Sequence, residues 1–361
     1  MRTFEFCCVL TFVGLPLTAD PGSAPVLQWV KQISGSGQSF ATASAVDSQG
    51  NLYITGSTAA LDFPTVSAAR AQAGGSTLMR VDAASGAAQK LSAPLLASAA
   101  NFAFDPQNPS NIYATSSSST GVTDAGSNWT NYLIRSIDSG ATWTTVSAFP
   151  STPSGIAGSK VTIDCLAIDP VNSNVLYACP DAEGILKSID GGFTWTAINQ
   201  GLPGFLNSQP RPVYRVWVDP HFPSVLFAAS QSALVRSSDA GATWSVVLAG
   251  EPFYQGALAF DPFTPGTIYW GGSYSSQFIG KSTDDGLTWT GQSAPPLTPF
   301  SACDDCLVYI DPVHPGVWYF ASANYMGGLY RSDDVSGAVF AINPAYSVMR
   351  SQPGLALSVL Q

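Results

Sequence analysis

The chain has 361 residues and a formal net charge of −10, with 14 Lys+Arg against 24 Asp+Glu. Charged residues are only 11% and hydrophobic ones 45%, with 33 Gly and 26 Pro. That balance excludes a disordered or highly charged helical chain, and without a Lys/Arg cluster there is no basic face for nucleic-acid phosphates or an anionic membrane surface.

The N-terminus reads as an export signal over residues 1–19. Arg2 precedes an apolar stretch from Phe6 to Leu17, and Thr18-Ala19 offers a small-residue cleavage site. The stretch is too short for a spanning helix. Residues 20–361 then read as one repeat domain, placing the protein outside the cytoplasm: secreted, periplasmic or on the cell surface. Cys165, Cys179, Cys303 and Cys306 remain after signal removal, an even number that favours disulfides in an exported chain.

Two motifs then alternate. The first is an apolar run ending in Asp-Pro, a turn, and a second apolar run. It occurs at Asp105-Pro106, Asp169-Pro170, Asp219-Pro220, Asp261-Pro262 and Asp311-Pro312, with a variant without Pro at Asp47. Pro cannot donate to a sheet ladder, so it belongs in the turn, and the preceding Asp can accept from the turn's N–H groups. The second motif is Ser-x-Asp-x-Gly-x-Thr-Trp. Its copies are Ser136, Asp138, Gly140, Thr142, Trp143; Ser188, Asp190, Gly192, Thr194, Trp195; Ser237, Asp239, Gly241, Thr243, Trp244; and Ser282, Asp284, Gly286, Thr288, Trp289. Degenerate copies lie at Asp82–Gly86 and Ser332–Asp334. Gly supplies the positive φ of a tight hairpin, Ser and Asp cap its N–H groups, and Trp brings apolar area to the next sheet.

Successive box serines are 52, 49 and 45 residues apart. A period near fifty with several short strands per unit is the signature of propeller blades. The predicted fold class is all-β, a single propeller of six to seven four-stranded blades. The units run approximately over 38–95, 96–150, 160–200, 210–250, 254–293 and 303–343, with a partial unit over 344–361. Val26–Ile33 and Pro353–Leu360 are left as remnants, either two halves of a closing blade or signs of a longer array. If Ile168 pairs with Leu176, Cys165 falls opposite Cys179, close enough for a disulfide.

The box copies resemble the Asp-box (BNR) repeat of sialidases, sortilin-like domains, xyloglucanase-type glycosidases and photosystem-II-assembly-factor-like propellers. The first unit, from Gln38 to Pro64, looks like a bacterial SBBP propeller repeat. The resemblance implies that the box residues are structural and lie away from any catalytic face. It also supplies the enzyme alternatives. A sialidase-like site needs an arginine clamp and a Tyr–Glu pair, and Tyr214-Arg215-Val216 is faintly similar to that family's aromatic-Arg-Ile-Pro motif, with Trp217 in place of Pro. A xyloglucanase-like site needs two Asp flanking a sugar cleft.

The remaining constellations are weaker. His221 and His314 lie in Asp-Pro turns and build no triad with a serine. Cys303-Asp-Asp-Cys306 has no partners for a zinc set and reads as a short disulfide or two thiols. No catalytic residue, metal ligand or cofactor is assigned. Arg211, Arg215 and Glu251 are the ligand candidates not explained by the repeat. The expectation is an exported, monomeric, non-enzymatic propeller that binds a protein or a carbohydrate through its loops, with a divergent glycoside hydrolase as the alternative.

Overall fold

The computed structural model describes residues 10–14, 29–33, 39–46, 52–58, 76–81, 88–91, 101–123, 126–149, 163–180, 183–203, 205–206, 209–210, 213–230, 232–249, 257–271, 278–293, 306–311, 315–322, 328–333 and 338–341. These residues form strands and turns, with no helix among them. Two compact units divide the chain, one of residues 1–151, 155–160 and 351–361, the other of residues 152–154 and 161–350.

In the first unit, sheet I contains Ser39–Val46, Leu52–Thr58, Ser76–Val81 and Ala88–Leu91, and sheet II contains Phe102–Phe104, Ile112–Thr123, Gly126–Ser136 and Thr144–Ala148. The second unit holds four more. Sheet III is Ile163–Ile168, Leu176–Pro180, Leu186–Ser188 and Thr196–Ala197; sheet IV is Val213–Val218, Leu226–Ser230, Ala233–Ser237 and Ser245–Ala249. Sheet V is Ala257–Phe260, Ile268–Gly271, Phe278–Ser282 and Thr290–Ser293; sheet VI is Cys306–Ile310, Val317–Ser322, Gly328–Asp333 and Ala338–Ala341. Every strand pairs antiparallel with its neighbour in sequence, so each sheet is a four-stranded meander, the blade of a β-propeller.

The second strand of each central sheet is buried throughout, as in Leu176–Pro180, Leu226–Ser230 and Ile268–Gly271. Alternation explains how one strand serves two cores. Leu226 and Ala228 pack with Cys165, Tyr177 and Val216 between sheets III and IV. Phe227 and Ala229 point the other way, onto Leu258, Ile268 and Trp270 of sheet V. There Trp217 meets Trp270 edge to face, with centroids 6.0 Å apart. The fourth strands Thr196–Ala197 and Ser245–Ala249 are largely exposed, so burial falls across sheets III and IV from second strand to fourth.

Two turns close one end of each of sheets II to V, here called the turn end. In the Asp-Pro turn, Asp169 Oδ1 accepts from the N–H groups of Val171 (2.9 Å) and Asn172 (3.0 Å). Asp105, Asp219 and Asp261 do the same. In the box turn, Ser188 Oγ donates to Asp190 Oδ1 (2.8 Å) and accepts from Gly192 N (2.8 Å), while Asp190 takes the N–H and hydroxyl of Thr194. The other three boxes repeat this network. Box glycines have positive φ as expected, and so do the residues before them: Ser139, Gly191, Ala240 and Asp285. The N–H of each of these four bonds the Asp-Pro turn of its own sheet, for example Ala240 N to Ser224 O at 2.8 Å.

The remnant Val26–Ile33 was read either as half of a closing blade with Pro353–Leu360 or as a sign of a longer array. Its strand Trp29–Ile33 pairs with Leu10–Gly14, inside the apolar stretch read as an export signal. A hairpin partner so near in sequence costs little loop entropy. Residues 353–360 lie outside the described residues.

Candidate functional site

A glycosidase, a lectin or a metal site would each draw on carboxylates, so the first question is which carboxylates the fold leaves uncommitted. The box residues Asp138, Asp190, Asp239 and Asp284 are not among them. Their pKa values are held down at about 2, first by the Thr hydroxyl that each accepts, then by the same Thr's backbone N–H, then by the box Ser hydroxyl. A carboxylate held this firmly in its ionised form cannot donate a proton near neutral pH. The Asp-Pro carboxylates are buried and spent on their own turns.

Asp219 departs from its equivalents. In sheet II, Asn111 Nδ2 donates to Asp105 Oδ2 at 2.8 Å. Val225 stands at the matching position in sheet IV, and Asp219 Oδ2 is buried with no hydrogen-bond partner. Burial raises its pKa; the N–H bonds from His221 and Phe222 oppose this, and the negative charge of Asp285 adds to it. Both carboxylates lie at the turn end, where their bonds serve the packing of sheet IV on sheet V.

The opposite end, where second strands lead into third strands, is the loop end. Among the described residues, two acidic residues belong to this end by their place in the chain, Asp164 in the first strand of sheet III and Glu183 after its second strand. The register skips from Ile163–Pro180 to Cys165–Cys179, which leaves Asp164 at a bulge. The same skip occurs at Tyr214 in sheet IV and at Thr42 in sheet I. Bulges are frequent beside active sites. Glu183 follows Pro180, whose carbonyl accepts its N–H at 3.1 Å. Asn199 clamps this loop, donating to Glu183 O (2.7 Å) and accepting from Ile185 N (2.8 Å). Glu183 Oε1 is buried and has no hydrogen-bond partner. The disulfide Cys165–Cys179 ties the first two strands directly beneath, with Cα atoms 4.9 Å apart.

Of the three ligand candidates, Arg215 is exposed on the first strand of sheet IV, next to the Tyr214 bulge and opposite Ala229. Arg211 and Glu251 lie outside the described residues, as does Cys303. Neither Asp164 nor Glu183 was singled out from the sequence. The sequence offers Gly184 beside Glu183; it holds φ +77°, and a Cβ there would strike Asn199, so the loop is built for a fixed conformation. Among the described residues no group of three His, Cys, Asp or Glu could hold a metal ion.

Comparison with known proteins bears on what this end does. The SBBP β-propeller repeat model matches residues 28–64, which takes in the segment from Gln38 to Pro64 that resembles this repeat and begins earlier. A xyloglucanase of Hypocrea jecorina is 31% identical over 143 residues, 35% of this chain and 17% of that protein. A probable oligoxyloglucan-reducing end-specific xyloglucanase of Neosartorya fischeri is 30% identical over 188 residues, 46% of this chain and 22% of that protein. The chain therefore spans about a fifth of these relatives' lengths. The crystal structure of the GH74 xyloglucanase from Xanthomonas campestris superposes with a TM-score of 0.57 at 19% identity, covering 86% of this chain and 46% of that one. That likeness establishes the β-propeller fold.

The expectation of a non-enzymatic scaffold is corrected by these findings. The relatives are glycoside hydrolases, and they favour the enzyme alternative. The reason for the misreading is physical. A glycosidase needs two carboxylates facing across a cleft, and these come from separate strands and loops, so they leave no contiguous motif. The repeated Asp residues that do form a motif are the ones consumed by turns.

Proposed function

We propose that this chain is a xyloglucan-hydrolysing β-propeller, or a portion of one, acting outside the cytoplasm from the loop end of its sheets. The observation that carries the reading is the sequence likeness to xyloglucanases from several organisms. We assign the work to Glu183 and to Asp164, on the place of their backbone at the loop end of sheet III, whereas the other acidic residues among the described residues belong to the turn end. One would protonate the glycosidic oxygen, and the other would attack the sugar or activate water on its opposite face. The separation of the two carboxyl groups decides which. Arg215 is assigned to substrate binding beside the bulge.

The test is release of reducing ends from tamarind-type xyloglucan by the full chain. Turnover that Asp164→Asn and Glu183→Gln each lower by about 100-fold or more, with the β-sheet circular dichroism unchanged, supports the assignment. Turnover that survives both substitutions moves the chemistry to other residues. Absence of turnover on xyloglucan and its oligosaccharides overturns the reading.

A further inference from the structure

Of the large apolar side chains exposed among the described residues, all but Val246 of a fourth strand stand on the turns: Ile137 on the box of sheet II, Val171 on the Asp-Pro turn of sheet III, Ile189 and Phe193 on the box of sheet III, Phe222 and Phe263 on the Asp-Pro turns of sheets IV and V, and Leu287 on the box of sheet V. These turns form the turn end, opposite the site proposed above. The turns are locked side by side. Lys187 of sheet III donates to Ala240 O in the box of sheet IV (2.9 Å), and Arg236 of sheet IV donates to Asp285 O in the box of sheet V (2.7 Å). His221 Nε2 lies 3.3 Å from Pro262 O, joining the turn that carries Phe222 to the turn that carries Phe263. Its ring also rests against Phe222, with centroids 6.5 Å apart. The result is a strip of turns fixed to one another across neighbouring sheets and carrying exposed apolar side chains, a kind of patch that marks a binding surface.

Charge says what the strip can take. The turn segments 169–175, 188–195, 219–225, 237–244, 261–267 and 282–289 contain no Lys or Arg. Lys187 and Arg236, on the adjoining third strands, are turned onto neighbouring carbonyls. Asp190 and Asp239 are exposed and Asp284 half-buried, and all three are ionised down to about pH 2. Such a face repels nucleic acid and anionic lipid. It suits a neutral polymer rich in hydroxyl donors, whose C–H faces pack on Phe rings while its hydroxyls donate to carboxylates.

We propose that the turn end of sheets III to V is a second carbohydrate surface that holds a neutral β-glucan chain away from the hydrolytic end. Only the naming of the polymer rests on the proposed function. The experiment is affinity electrophoresis of the full chain in native gels containing soluble xyloglucan, run beside hydrolysis of short xyloglucan oligosaccharides. Phe222→Ala with Phe263→Ala is expected to weaken retardation by about tenfold, and Phe193→Ala to weaken it less. Val246→Ala, an exposed apolar residue on the fourth strand of sheet IV, is expected to change nothing, and oligosaccharide turnover is expected to persist in every variant. Retardation unchanged in the double variant overturns the proposal while leaving the hydrolase reading intact. Retardation lost in the variant of a chain that hydrolyses nothing upholds it while the hydrolase reading falls. Self-association in sedimentation that the double variant abolishes, with no retardation of the parent chain, overturns it in favour of contact between copies.

Discussion

Arg236 and Asp285 join two blades through two bonds: Nε donates to the Asp285 carbonyl at 2.7 Å, and one terminal nitrogen lies 3.3 Å from Oδ2. Arg236 precedes the box of sheet IV, and Asp285 occupies the left-handed position of the next box. Lys187 reaches Ala240 in the same way one blade earlier. The residue before the box is thus an interblade fastener. Arg236→Ala is expected to cost about 1.5–3 kcal/mol in urea unfolding. Arg236→Lys is expected to cost less, because it keeps one donor but loses the fork.

Ala240 and Gly241 make a matched pair of tests. Ala240 holds φ at 56°, which an L-residue adopts at a cost of about 1–2 kcal/mol. Ala240→Gly is expected to stabilise by up to about 1 kcal/mol, as the unfolded chain's added entropy offsets part of the relief. Gly241 has φ +91°, and a Cβ there would run into Ile198 of sheet III. Gly241→Ala is expected to destabilise by about 2–4 kcal/mol. Thermal unfolding reads both.

The disulfide spans a separation of 14 residues. In the chain-entropy account, closing a loop of that size is worth about 3 kcal/mol. Cys165→Ala with Cys179→Ala is expected to lower stability by about 2–4 kcal/mol. Reductant is expected to destabilise the parent chain by a similar amount and leave the variant unchanged.

Acid should act through the boxes. Their aspartates fall from the usual 3.8 to about 2 in the folded chain. A lowered folded pKa gives stability that is present above the unfolded value and is lost as pH falls through the folded value. Unfolding is expected to set in between about pH 4 and pH 2. Asp190→Asn is expected to shallow that pH dependence, read as unfolding midpoints at pH 7, 4 and 2.5.

Asp219 has the opposite sign. Its folded pKa is raised, chiefly by burial. Such a group contributes most below the unfolded pKa and loses that contribution as pH rises through the folded one. Asp219→Asn keeps an oxygen for the His221 and Phe222 N–H groups and removes the buried charge beside Asp285. The variant is expected to be more stable than the parent chain at pH 7 and to lose that advantage below about pH 4. A variant weaker at both pH values would show that the carboxylate is needed in its charged form.

Much of the fold was legible in the sequence because its instructions are local. The Asp-Pro turn needs one carboxylate two and three residues from the N–H groups it caps, and the box closes its network within a few residues of Ser188 or Ser237. Pairing Ile168 with Leu176 then follows from turn length, and it carries Cys165 opposite Cys179. What was missed has a longer reach. Nothing local distinguishes Asp219 from Asp169, since each is followed six residues on by Val, at Val225 and Val175, and the negative charge of Asp285 that acts on Asp219 belongs to the next sheet. Nothing local gathers Ile189, Phe222 and Phe263 onto one surface.

The sequence by itself therefore determined the blade: meander order, turn chemistry and the register that sets Cys165 opposite Cys179. Tertiary structure alone decided which second strands are buried on both faces, which bases fasten blade to blade, and which apolar side chains are left exposed on the turns. The physical reason is range. Turns and strand alternation are set by neighbours a few residues apart. A site, in contrast, is set by side chains from different strands, loops and sheets, and their convergence is fixed only when the sheets pack.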